Sequence, residues 1–337
     1  MTELSEPAAK ILGPLSGTAI VWSLDLGLRL GIFEQLVERP LGATAEEVAN
    51  ALDLDLQYTH VILRAAYAAE VLDLDDGRYR LAEHMSTLLL DSDAPGYLGG
   101  AVRTFVALRE TYLDLRSFAR TGAREWWNDF DPEWIDAVAE NGQTYYRRLL
   151  NLVVPRLPAV AGSLERGARY LDLACGVCRG PAKVAVTFPR TTVTAVDGDA
   201  YTLEVAEREM KEQGLGDRFR FVHSMLEDLD IDGGHDLAVI NISLHEARDI
   251  ERAVERAYAA LDPGGTFLVS EFPFPDHEED CRTVPGRLMC GVQFFEAHIG
   301  CQLLPTARFV DLLEQAGFRD VGVIDVTPVH VVVHGTK

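Results

Sequence analysis

Positive charge is scarce in this chain. Lysine and arginine total 31 against 53 aspartates and glutamates, a formal net charge of -22 over 337 residues. A field of that sign repels phosphate backbones and argues against nucleic acid or anionic membranes as partners. Cysteine is sparse as well. Cys175, Cys178, Cys281, Cys290 and Cys301 are an odd number scattered through a large chain, which fits free thiols in a reducing cytoplasm and excludes a disulfide framework. The opening MTELSEPAAK lacks the basic region and apolar run of a signal peptide, and no apolar stretch reads as long enough to span a bilayer. A cytoplasmic location is the expectation. There is no internal repeat and no low-complexity segment, and 47% hydrophobic with 25% charged residues is an ordinary globular balance. The length allows two cores.

What is present divides into three regions: 1–95, 96–165 and 166–337. In the first, helical spacing of apolar residues over 8–38 leads to Thr44, followed three residues later by Glu47, a capping box. A second helix from about Gln57 to Ala69 precedes two short strands around Asp75-Asp76-Gly77. Helix–turn–helix plus hairpin predicts a winged helix. Its second helix holds a single arginine and no lysine, so it lacks the basic face of a DNA reader. A dimerisation and lid module is the better reading, and a homodimer is expected. Region 96–165 is helical and rich in aromatics: Trp126, Trp127, Phe130, Trp134, Tyr145 and Tyr146. Such runs form core more often than pocket, yet pockets form between domains. Tyr145, Tyr146 and Arg147, with Phe294 from further on, are the expected walls for a small-molecule substrate.

After Gly167, strand-like segments alternate with helical ones, the signature of an α/β, Rossmann-like doubly wound sheet. Val329–Val333 is expected as a last strand on the sheet edge. Leu171-Asp-Leu-Ala-Cys-Gly176 follows the first strand and opens the first helix, where small residues let backbone approach a ligand. The second strand ends in Asp197, about 20 residues beyond Gly176, where an acid can bind both hydroxyls of a ribose. Dinucleotide-binding enzymes share that spacing.

The chain resembles the class I methyltransferases, specifically their two-domain small-molecule group with an N-terminal winged helix. The motifs are LDLACG at 171–176, AVDGD at 195–199, FVHSMLEDL at 221–229, LHEARD at 244–249, ALDPGGTFLVSE at 260–271 and LLEQAGF at 312–318. The resemblance implies S-adenosylmethionine as cofactor. It places Gly176 against the methionine part, Asp197 at the ribose, Met225 and Leu226 beside the adenine and Asn241 near the methionine or adenosine, with Asp172, Ala174 and Gly198 also binding the cofactor. Two positions depart from the family. Cys178 stands where glycine is usual and is expected to narrow the space beside the methionine tail. Met225 stands where an aspartate is usual, leaving Asp228 or a backbone group to read the adenine amine. Cys175 and Cys178 form a CxxC, but without a second pair a zinc ribbon is not expected.

His245 follows the fourth strand, at the sheet end where ligands bind. In related O-methyltransferases the matching histidine removes the acceptor's proton, a task suited to a near-neutral imidazole. Glu246 follows it, and His298 lies in QFFEAHIG at 293–300. Two histidines and a carboxylate can hold iron or zinc with positions left open for substrate. The chain is similar here to the 2-oxo-acid C-methyltransferases, with Leu304-Pro305-Thr306 in support, which implies His245, Glu246 and His298 as both catalytic residues and metal ligands. The expectation is methylation of a small metabolite in secondary metabolism, metal-assisted on carbon of a 2-oxo acid. The alternatives are a metal-free O-methyltransferase with His245 as base, and a non-methylating cyclisation or rearrangement of the cofactor.

Overall fold

The capping box at Thr44 is present as the sequence predicts. The Glu47 amide donates to Thr44 Oγ1 at 3.2 Å, and the Thr44 amide to Glu47 Oε2 at 3.0 Å. That fixes the start of the helix Ala45–Leu52, and Asp55 caps the next, Leu56–Ala68. Strands β1 (Leu72–Asp75) and β2 (Arg78–Leu81) then pair antiparallel, Leu72 opposite Leu81. Asp76 and Gly77 both take positive φ, 45° and 75°, the combination that a two-residue turn needs to match strand twist. Ile32, Phe33, Val48 and Leu63 are completely buried beneath this helix–turn–helix and hairpin.

The computed structural model describes residues 5–127 and 132–337; Phe130, one of the aromatics singled out above, lies outside the described residues. The chain divides into two units, Met1–Arg109 and Glu110–Lys337, the division falling inside the helix Gly99–Thr121. One expectation fails in the first unit. The helix Glu6–Arg29 is, by length and composition, apolar enough to cross a bilayer. Its charges, Glu6, Lys10, Asp25 and Arg29, flank an uncharged run over residues 11–24, and Ile11, Leu12, Leu15 and Trp22 on it are exposed.

The second unit is built on seven strands: β3 (Arg169–Leu173), β4 (Thr192–Asp197), β5 (Phe219–His223), β6 (His235–Asn241), β7 (Leu261–Glu271), β8 (Arg319–Thr327) and β9 (His330–Thr336). Their order is β5-β4-β3-β6-β7-β9-β8. The first five are parallel, and β9 runs antiparallel to both β7 and β8. The segment at 329–333 is therefore not the edge. Val331–Val333 are fully buried between neighbours on both sides, and β8 takes the edge, with Ile324 its one buried residue. A continuous apolar run suits an inner strand, which is the physical reason for the difference.

Successive side chains alternate across the sheet. Tyr170 belongs to the core on one face and Leu171 and Leu173 to the core on the other, so Asp172 shares the face of Tyr170. Strand order reverses at β3, with β4 and β5 laid down on one side of it and β6 and β7 on the other. The crevice outside the carboxyl ends of β3 and β6 is the switch point where such sheets bind ligands. Both Ala174–Cys178 and Ser243–Glu246 leave the sheet there.

Candidate active site

From β3 the backbone turns through Ala174, Gly176 and Cys178, all at positive φ (55°, 52° and 61°), into the helix Arg179–Thr187. For the two non-glycine residues that conformation costs roughly 1–2 kcal/mol each. The Cys178 side chain is wholly buried among Tyr170, Ala182 and their neighbours, which holds the turn. Asp197, at the end of β4, accepts from the Gly176 amide at 2.7 Å and the Asp199 amide at 2.9 Å, and so ties the two loops together. Asp172 is closed off from solvent and accepts from the Tyr146 hydroxyl (2.9 and 3.0 Å) and the Tyr170 hydroxyl (2.6 Å). Burial raises its carboxyl to about 7, against the two tyrosines, which pull it down. Tyr146 reaches Asp172 because Gly180 has no side chain: a Cβ there would lie 2.1 Å from the Tyr146 ring.

At the ends of β6 and β7 a second cluster gathers around His245. Glu271, the last residue of β7, accepts from the Leu244 amide at 2.8 Å, the His245 amide at 3.3 Å and His245 Nδ1 at 2.8 Å. The ring is thereby fixed, with Nε2 turned to Glu296 Oε2 at 3.2 Å and Glu246 Oε1 at 4.0 Å. Trp127 Nε1 donates to Glu246 Oε2 at 2.7 Å. Burial alone would lower the imidazole's pKa, but Glu271 and then Glu296 carry it well above the ordinary histidine value. Burial and the nearby Glu296 raise Glu246 to about 8. His245, Glu246 and Glu296 each offer one ligand atom, all within 4.8 Å of one another. Beside the cluster, Phe272 packs against Tyr145 (5.7 Å between ring centroids) and Tyr145 against His330 (5.0 Å). His330 bonds Ser270 Oγ at 2.8 Å, and that hydroxyl donates to Asn241 Oδ1 at 2.7 Å.

Residues 171–265 match the family described as a methyltransferase domain. Over nearly its whole length the chain is similar to an S-adenosyl-L-methionine-dependent methyl transferase, PigF, of a Serratia species: 23% identical over 331 residues, 94% of this chain and 92% of that one. Residues 171–265 thus carry a methyltransferase domain, on the fold of the class I S-adenosylmethionine-dependent enzymes. Among solved structures it shares its fold with the methyltransferase SibL (24% identity, 98% of this chain and 99% of that one, TM-score 0.70). The mitomycin 7-O-methyltransferase MmcR has it too (20% identity, 100% of both chains, TM-score 0.65). Against other curated relatives the chain spans less, 34% and 50% of their lengths.

Several residues of this chain sit elsewhere than the sequence suggests. His298 does not join His245. Its Nε2 pairs with Glu125 Oε2 at 2.8 Å and its ring packs against Phe118. Glu296 and His298 lie two apart on the helix Val284–Ile299, hence on opposite sides of it, and the carboxylate takes the inward place. Phe294 is exposed; the next residue, Phe295, turns in against Trp127 and Trp134. Tyr146 serves the Asp172 end rather than the substrate wall, whereas Tyr145 lies beside the His245 cluster and Arg147 is buried. Cys178 points into the core instead of narrowing the loop, where a Cβ on Gly176 would meet nothing within 4 Å. Asp228 is exposed. Glu271 and Glu296 were the residues missed. Each had a signal: an acid ending the apolar run ALDPGGTFLVSE, and an acid amid the apolar QFFEAHIG.

Proposed function

We propose that this protein transfers a methyl group from S-adenosylmethionine to a small acceptor in secondary metabolism, with His245 at the reacting position. The observation that carries this is the fixed imidazole at the carboxyl ends of β6 and β7, held on Nδ1 by Glu271 with Nε2 facing Glu296. The cofactor supplies an activated methyl on a sulfonium. The backbone at Gly176 fits it, being open where a Cβ would meet nothing. Gly176 would receive the methionine portion, Asp197 the ribose and Met225 and Leu226 the adenine, with Asn241 near the methionine or adenosine and Asp172, Ala174 and Gly198 also lining the cofactor. Tyr145 and Phe272 would wall the acceptor, excluding water and aligning it for an in-line displacement. His245, once its Nε2 proton has passed to Glu296 at 3.2 Å, would take up the acceptor's proton at Nε2, and Glu271 would stabilise the imidazolium that follows. Mass spectrometry of reaction mixtures tests this: acceptors bearing a hydroxyl or acidic carbon should gain one methyl group with wild type and none with His245→Gln.

A second reading has its own observation. His245 Nε2 and Glu296 Oε2 are buried 3.2 Å apart with no hydrogen-bond partner beyond each other, and Glu246 is within 4.8 Å of both. That donor set suits iron or zinc, with Glu271 orienting the ring as carboxylates do for metal-bound histidines. A cation there would polarise an acceptor oxygen; His245, Glu246 and Glu296 would hold it. Elemental analysis of the purified protein should find close to one iron or zinc per chain on this reading and none on the metal-free one. The exposed apolar face of the helix Glu6–Arg29 further supports a dimer of this chain joined there.

A further inference from the structure

Strand β7 ends in two consecutive polar side chains, and each orients a group at the crevice. Glu271 holds the His245 ring and Ser270 holds Asn241. Val239, Leu268 and Val332 belong to the core around Tyr170, and side chains alternate along a strand. Asn241, Ser270 and His330 each lie two residues from one of these, so they form a polar row on the same face, across β6, β7 and β9. Ser270 and His330 are completely buried. Leu173 and Ile240 are the last paired residues of β3 and β6. Asn241 therefore stands one step further on, where loop 174–178 leaves the sheet.

Hydrogen bonds run along the row. His330 Nε2 lies 2.8 Å from Ser270 Oγ, and Ser270 Oγ lies 2.7 Å from Asn241 Oδ1. Burial, and then the charge of Arg148, lowers the His330 imidazole to about 3, so the ring is neutral and carries one proton. Its Nδ1 is buried with no hydrogen-bond partner among the described residues. A proton on Nδ1 would leave a buried donor unpaired, which is costlier and rarer than a bare lone pair. The proton is therefore on Nε2, and the rest follows from it. Nε2–H donates to Ser270, the Ser270 hydroxyl donates to Asn241 Oδ1, and the amide oxygen is engaged. The Asn241 amide nitrogen bonds none of the described residues and is not closed off from solvent. An uncharged row thus turns an amide N–H donor toward the crevice between loops 174–178 and 243–246.

We propose that His330 and Ser270 are positioning residues that lock the Asn241 amide with its nitrogen toward the crevice, as a donor to an oxygen of the bound methyl donor. The assignment rests on the methyl-donor reading above. Calorimetric titration of the full chain with S-adenosylhomocysteine tests the two separately. Asn241→Ala should weaken binding about tenfold, the loss expected for one hydrogen bond. Ser270→Ala and His330→Leu free the amide to turn its oxygen outward. Each should weaken binding several-fold in the wild-type background and not at all in Asn241→Ala, whereas a residue serving only the fold would weaken it equally in both. His330→Gln keeps an N–H near the place of Nε2 and should restore most of the affinity. If His330→Leu does not fold, the cycle of Ser270→Ala with Asn241→Ala decides alone. Methylthioadenosine, which lacks the carboxylate, identifies the oxygen: a loss in Asn241→Ala that persists with it assigns a ribose oxygen, and one that vanishes assigns the carboxylate. Affinity unchanged in Ser270→Ala, or a loss of the same size in the Asn241→Ala background, would overturn the assignment. Failure of wild type to bind S-adenosylhomocysteine would overturn the methyl-donor reading with it.

Discussion

His298 and Glu296 show how much turns on a helical offset of two residues. Residue types and their approximate location were legible, since imidazole and carboxylate at the carboxyl end of the sheet were both read from LHEARD and QFFEAHIG. Which member of the second motif faces His245 was not, because rotation of the helix Val284–Ile299 is set by packing of Phe295 on Trp127 and Trp134. Paired variants follow. His298→Gln breaks a contact to a half-exposed carboxylate and should cost about 1–2 kcal/mol of stability while leaving methyl transfer and any bound metal in place. Glu296→Gln should leave stability nearly unchanged, yet strongly reduce turnover and, on the cation reading, empty the site. Elemental analysis alongside thermal unfolding separates the two.

Asp172 gives a prediction with a definite sign. Its carboxyl stands at about 7 in the fold, chiefly through burial, against roughly 3.9 in an unfolded chain. The folded state thus holds a proton that the unfolded state has released, and stability falls as pH rises from about 4 to about 7. The full effect is on the order of 4 kcal/mol. Asp172→Asn removes the titration, so its denaturant midpoint should exceed that of wild type by more at pH 8 than at pH 4.5. Tyr146→Phe should do the reverse at pH 8, because the phenol stabilises the ionised form.

The elements themselves were mostly readable. Thr44 and Glu47 announced a helix start, Asp76-Gly77 a hairpin, and alternation after Gly167 a doubly wound sheet; each is a local rule acting on neighbours in sequence. The order of the last two strands was not, since β9 enters between β7 and β8 through pairings remote in sequence. The task of Gly180, in the helix after the cofactor turn, could not be seen from sequence. It makes room for Tyr146, so Gly180→Ala should force that ring off Asp172 and cost about 1–3 kcal/mol by overpacking. Chemical denaturation measures the loss, and a Gly180→Ala/Tyr146→Ala double variant should recover less than the sum of the two single effects.

At the scale of the whole molecule, a net charge of -22 coexists with a long helix whose apolar residues face outward. Charge of one sign keeps such a chain soluble but does not cover that face, and a second copy would. Sedimentation at micromolar concentration should therefore give a dimer, and charged substitutions at Leu12 and Leu15 should shift it toward monomer. The claim on which everything else depends is that the loop after β3 and the acid ending β4 bind S-adenosylmethionine. Calorimetric titration of wild type and Asp197→Asn with S-adenosylhomocysteine measures it most directly. Saturable one-to-one binding per chain, weakened at least about tenfold in Asp197→Asn, is the predicted result. An unaltered affinity in that variant, or tight binding of a nicotinamide dinucleotide in place of the homocysteine compound, would contradict it.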